Sequence, residues 1–193
     1  MSMMNRTFVL LERISALLRS EQRREAGSAG LEPVHLQALG YLARANRFSD
    51  TPQSVGEYLG LSKGNMSQRL LWLERSGYLQ RTKDEWDGRV VHLGLTGRGL
   101  KAVAEFSPPA LWVEAGGEDE NLAAELEKVL HRLLGRGGYR GFGQCRTCRH
   151  HQKRAGGGHC GLLKVDLEPD QIDKLCREHE MEEEAERIRT PDR

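Results

Sequence analysis

The sequence predicts a mainly α-helical fold with one small β-hairpin, an α+β class in which a helix-turn-helix is followed by a wing. Three observations predict it. Short capped helical segments run up to Gly77, the stretch YLQRTKDEWDGRVVHLGL reads as two strands around a tight Asp87-Gly88 turn, and further aliphatic helices flank this core on both sides. With 193 residues, 38% hydrophobic and 30% charged, the chain is sized for one substantial domain and a small appendage.

Phe8, Leu11, Ile14 and Leu18, joined by Leu10 and Leu17, form an apolar stripe at helical spacing that ends near Gly27. Glu32-Pro33 opens a second helix through about Asn46, with Val34, Leu36, Leu39 and Leu42 as its apolar positions. Thr51-Pro52 is an N-cap and first-turn pair for a third helix, which closes at Leu59-Gly60. Ser62 caps a fourth, where Met66, Leu70 and Leu73 share one face and Gly77 is the C-cap. Lys63, Asn65, Gln68 and Arg69 lie elsewhere on its surface.

After the hairpin, Thr96 caps a fifth helix through Phe106, interrupted by Ser107-Pro108-Pro109. A sixth, from about Glu118 to Gly135, carries Leu122, Leu126, Val129, Leu130 and Leu133 at helical spacing. The glycine-rich run from 136 to 144 then reads as a linker to a cysteine-rich segment. The expected organisation is an N-terminal dimerisation helix (1–30), a winged helix-turn-helix (31–99), C-terminal dimerisation helices (100–135), the linker, and a cysteine-rich module with a C-terminal helix (145–193).

A helix that enters the major groove brings its amino-terminal residues closest to the base edges. Asn65, Gln68 and Arg69 therefore stand out as base readers, and Ser62, Lys63 and Ser67 as phosphate ligands. The wing carries Arg81, Lys83 and Arg89, the last placed to approach the minor groove. Thr51, Gln53 and Ser54, at the start of the third helix, offer side chains and free N–H groups to a phosphate. The formal net charge is only +1, so double-stranded DNA would be held by this local placement and not by a bulk positive field.

From Leu31 to Gly99 the chain resembles the winged-helix core of the MarR family of bacterial transcription regulators. LERSGYL is similar to that family's end of the recognition helix, Asp87-Gly88-Arg89 to its wing-tip Asp-x-Arg, and Leu95-Thr96-x-x-Gly99 to the start of the following helix. The resemblance implies a homodimer, joined through the first and last helices, that binds pseudo-palindromic operators. It also implies a small effector between the DNA-reading and dimerisation parts, for which Trp72 is the candidate contact, although packing is the commoner role for a lone Trp. Two departures stand out. Gln68 occupies a position where many members carry Arg, which bears on the bases read, and Ser107-Pro108-Pro109 breaks a helix that many members continue, which bears on dimer geometry.

The start of the chain lacks an apolar core followed by a small-residue cleavage site, and no apolar run approaches the roughly 20 residues that span a bilayer. A cytoplasmic protein with no membrane partner is expected. In that reducing setting the four cysteines point to metal ligation or redox chemistry and away from disulfides. Cys145-x-x-Cys148 has chelate spacing, Cys160 follows a glycine-rich loop, and Cys176 is expected on a helix beginning near Glu168-Pro169. Together they can complete a structural tetrahedral Zn2+ site, with His159 or His179 as the alternative fourth ligand and His150 and His151 exposed.

No Walker or dinucleotide glycine motif is present and no catalytic constellation stands out, so no enzyme is expected. The expected function is a DNA-binding regulator, a repressor in particular. One alternative is a regulator that uses the cysteines as a redox or metal sensor. Another is a protein-interaction adaptor built on the winged helix.

Overall fold

The computed structural model describes residues 5–117 and 119–181. Helix α1 (Arg6–Ser28) starts at Asn5, whose side chain accepts the Thr7 and Phe8 N–H groups. It ends one residue beyond Gly27, where Gly30 turns left-handed and Leu31 N donates back to Ala26 O. Helix α2 (Pro33–Arg44) is the centre of the core, and Leu39 and Tyr41 are fully buried. It stops before the expected Asn46 because Ala45 turns extended and Asn46 N donates instead to Leu175 O, far along the chain.

Helix α3 (Pro52–Leu59) and helix α4 (Lys63–Arg75) form the helix-turn-helix. Gly60 caps α3 in the left-handed region and Leu61 N returns to Gly56 O at 2.9 Å; Ser62 then caps α4. Gly56 faces Leu61 O and the Met66 side chain across the turn between the two helices. Met66, Leu70 and Leu73 are buried, as the spacing predicts. Gly77 is left-handed just beyond the last turn, after Ser76.

Strands β1 (Leu79–Lys83) and β2 (Val91–Leu95) pair antiparallel from Leu79↔Leu95 to Lys83↔Val91. The tight Asp87-Gly88 hairpin does not form. Residues 84–90 make two successive turns: Asp84 Oδ1 accepts the N–H groups of Trp86 and Asp87, and Val90 N donates to Asp87 O at 2.8 Å. Local aspartate caps thus replace the two-residue turn that Asp-Gly ordinarily signals.

Helix α5 (Gly97–Phe106) is capped by Thr96, whose hydroxyl accepts from Gly99 N and donates to Gly77 O. Beyond Ser107-Pro108-Pro109 lies a short helix the sequence did not reveal, α6 (Ala110–Glu114). Helix α7 (Glu120–Gly137) begins at an Asp119 cap and ends on left-handed Gly138, three residues past the expected Gly135. Its anticipated first residue, Glu118, lies outside the described residues.

The glycine-rich stretch is not a free linker. Phe142 packs edge-on against Tyr41 and Tyr58, and β3 (Gly143–Gln144) pairs with β7 (Leu175–Cys176). Between them β4 (His151–Arg154), β5 (Gly157–Cys160) and β6 (Val165–Leu167) form a small antiparallel sheet, followed by α8 (Pro169–Ile172). Cys176 therefore lies on a strand. The helix expected to carry it ends at Ile172, because the chain then turns back to pair with Gly143 and to bridge Ala45. Residues 182–193, where a further C-terminal helix would fall, lie outside the described residues.

Candidate nucleic-acid interface and cysteine cluster

Burial of Met66, Leu70 and Leu73 turns the opposite face of α4 outward, leaving Lys63, Asn65, Ser67 and Gln68 exposed at its amino-terminal half. Arg69 is half-buried. Its Nε donates to Asn65 Oδ1 at 2.7 Å and its Nη1 to Glu32 at the start of α2, a hydrogen bond that holds the Glu32 carboxyl below its usual range. Ser62 is exposed and its hydroxyl oxygen accepts from Asn65 N.

On α3, Gln53 is exposed and donates to Glu57, while Thr51 caps the helix. Ser54 departs from the expected set. It is only 1% exposed and its hydroxyl is shared with Thr51 at 2.8 Å, so it cannot face a phosphate; the first turn of α3 points it into the core.

The wing divides its cations. Arg81 is drawn back to α4 by Glu74 at 3.0 Å, Lys83 is exposed near the end of β1, and Arg89 stands at the tip with its side chain 91% exposed. Arg89 forks onto Asp87, Nε to Oδ1 and Nη2 to Oδ2, both at 2.9 Å. Trp86, exposed beside it, did not stand out in the sequence.

Nor did the anchor of the wing. His92 on β2 reaches Asp50 at 2.6 Å through Nδ1 and Asp84 at 3.2 Å through Nε2. Burial pulls the imidazole pKa down, but the two carboxylates outweigh it and the net shift is upward. Asp50 is itself raised by burial, with His92 opposing; Asp84 is lowered by the backbone N–H of Asp87 and then by His92. One imidazole thereby ties the wing base to the turn before α3.

Trp72 is neither buried core nor isolated. It stacks on His35 with centroids 4.5 Å apart and planes within 3°, and lines a concavity of about 540 Å³ with Glu32, Gln68 and Arg69.

Three of the four cysteines share one small apolar cluster. Cys145 and Cys176 are buried with Leu167, and Cys160 packs against them. The neighbouring sulfurs shift each other in opposite senses, Cys145 upward and Cys176 down to about 6. Cys148 is one turn from Cys145, its N–H donating to Cys145 O at 3.0 Å. Among the described residues no three Cys, His, Asp or Glu side chains close into a ligating group.

The alternative ligands are occupied elsewhere: His179 lies 2.9 Å from Thr147 Oγ1, and His159 lies 2.7 Å from Asp166. His150 and His151 are half-buried, contrary to expectation. His150 lies within 3.6 Å of Glu180, and His151 Nε2 is covered over Gly158 with no partner among the described residues.

A helix-turn-helix whose second helix presents an exposed polar face, followed by an anchored hairpin, defines a winged-helix domain. Residues 29–90 match the family model described as MarR family. The chain is 28% identical over 133 residues to Transcriptional repressor MprA of Escherichia coli (strain K12), covering 66% of this chain and 69% of that protein. MepR of S. aureus in its DNA-binding conformation superposes with a TM-score of 0.58 at 22% identity, over 67% of this chain and 97% of MepR. The S. aureus MepR–DNA complex gives 0.52 at 22% identity, over 66% and 95%. These likenesses show a winged-helix fold whose residues 29–90 are similar to the MarR family. Among the described residues no helix is long and apolar enough to cross a membrane.

Proposed function

We propose that the protein is a homodimeric repressor that reads a pseudo-palindromic operator with α4 in the major groove and the wing along the adjacent minor groove. One observation carries this reading: capped α4 presents Lys63, Asn65, Ser67 and Gln68 together on an exposed face while its apolar face is locked on α3. Gln68 and Asn65 supply bidentate amides suited to adenine; Lys63, Ser67, Ser62 and Lys83 supply phosphate contacts. Arg89, at the exposed tip, is the minor-groove cation. The names of MprA, a repressor, and of the MepR–DNA complex agree with this role.

Two apolar stripes support the dimer. Leu10, Ile14 and Leu17 on α1, and Leu122, Leu126, Leu130 and Leu133 on α7, are all at least 36% exposed in the single chain. Such faces at helical spacing are what a second copy of the chain would cover. A dimer so joined blocks transcription by occupying its operator, in the cytoplasm with the chromosome. The Trp72 concavity is the place for an effector. The cysteine cluster is read as a zinc site.

The test is charge reversal measured as salt dependence. Lys63→Glu and Arg89→Glu should each weaken a duplex complex and flatten the slope of affinity against salt by about one phosphate contact. Variants that bind duplex with wild-type affinity and slope would exclude this face and favour a protein-docking role.

A further inference from the structure

The turn joining α2 to α3, which sets where the helix-turn-helix sits, makes many of its polar contacts with the cysteine segment. Asn46 N donates to Leu175 O at 2.9 Å, and Asn46 Nδ2 reaches Cys145 Sγ at 3.5 Å. Arg47 N donates to the Gln171 side chain at 3.0 Å, and Ser49 Oγ accepts from Arg177 N at 2.9 Å. Arg177 in turn forks onto Glu57 of α3 at 2.6 and 3.0 Å. Asn46 and Ser49 are fully buried, so releasing the segment would strand polar groups in the core.

What holds the segment itself is scant. Its buried apolar set is Leu167 with two cysteines, too little for a unit of this size to fold around unaided. The sulfurs are instead presented as metal ligands are. Cys145-x-x-Cys148 closes a single tight turn, and Cys160 opens a second in which Leu163 N donates to the Cys160 sulfur at 3.5 Å and Lys164 N to its carbonyl at 2.8 Å. Cys160 thus packs against the buried Cys145 and Cys176 from a separate element, and Cys148 lies one tight turn from Cys145 without closing onto them.

We propose that Cys145, Cys148, Cys160 and Cys176 bind a zinc-class divalent ion, and that occupancy of this site fixes the α2–α3 turn and so the position of the reading helix. Each sulfur still protonated releases its proton to solvent on ligation, and each gives an electron pair to the ion; no electron transfer is involved. Ion binding draws Cys148 and Cys160 onto the Cys145–Cys176 pair, and Asn46 carries the result to the turn. The final readout alone rests on the DNA-binding reading.

The experiment uses the full chain, stripped of metal under reductant and titrated with Co2+ or Zn2+ alone. Expected are one ion per chain, a thiolate-to-cobalt charge-transfer band, and at least tenfold slower amide exchange over residues 45–60 in the loaded protein. Operator affinity should then rise roughly tenfold on loading, within the usual span of coupled sites. Each single Cys→Ser variant should lose the ion, and His151→Ala should keep it.

No charge-transfer band, with exchange unchanged, overturns the site. An ion that binds without altering exchange at 45–60 overturns the coupling. Loss in His151→Ala but not in Cys148→Ser overturns the four-sulfur set. Metal-dependent exchange in a protein that selects no duplex would uphold this inference while removing the DNA-binding one, which keeps the two failures apart.

Discussion

Arg69, two turns into α4, is bonded to Glu32 at the amino end of α2. Its guanidinium also takes Asn65 Oδ1, so two of the three residues suited to base reading restrain each other in the free protein. On the proposed DNA-reading role, Arg69 parts from Glu32 to reach a guanine. Glu32→Gln should therefore raise duplex affinity up to about fivefold, since a partly exposed ion pair contributes no more than about 1 kcal/mol. Fluorescence anisotropy on a selected duplex reads this directly; an unchanged affinity would make the pair a strut and leave Gln68 as the principal reader.

The wing anchor gives a pH dependence of defined sign. Because His92 has its pKa raised in the folded state, the stability it confers is complete below the unfolded value of roughly 6.5 and is lost as pH rises through the higher folded value. Asp84, lowered in the fold, contributes above its unfolded value of roughly 3.9 and loses that contribution as pH falls through the folded one. Thermal midpoints should thus decline across the window just above pH 6.5, and His92→Gln should flatten that decline. An imidazole resonance of His92 titrating at or below 6.5 would refute the clamp.

Gly99 explains the Leu95-Thr96-x-x-Gly99 motif in atomic terms. A Cβ there would lie 2.1 Å from Tyr78 O, the carbonyl that already accepts from Thr96 N at 3.1 Å. Backbone on both sides leaves nowhere to yield. Gly99→Ala should destabilise by about 1–3 kcal/mol in urea unfolding despite improving helix propensity; a neutral or stabilised variant would show that the α5 junction gives way.

The dimer reading predicts that Leu133→Glu and Leu17→Glu, each placing a charge on an exposed apolar stripe, shift the protein towards monomer in sedimentation equilibrium without altering far-UV circular dichroism. Dimer retained in both variants at micromolar concentration would locate the association elsewhere.

Much of the fold was legible because its signals are local. Thr51-Pro52, Ser62, Thr96 and the Met66–Leu70–Leu73 stripe each specify their own few residues, and helices α3, α4 and α5 fall where they predict. Elsewhere local signals were outvoted. Asp87-Gly88 signals a two-residue hairpin, yet the Asp84 side chain captures the neighbouring N–H groups first; Ser54 reads as a helix-start phosphate ligand, yet it lies on the core side of α3. Contacts between distant residues left no pattern to read. Asp50 and His92 are 42 positions apart and Asn46 and Cys145 are 99 apart, and neither pair shares a periodicity or a motif.

The most direct test of the central claim is selection of duplexes from a random pool by the full-length protein, repeated with Gln68→Ala. An enriched palindrome with half-sites about one helical turn apart is expected. Gln68→Ala should relax one base position in each half-site by about 1–3 kcal/mol of discrimination. No enrichment, or an enriched site whose every position survives Gln68→Ala, Asn65→Ala and Arg69→Ala unchanged, would contradict that claim.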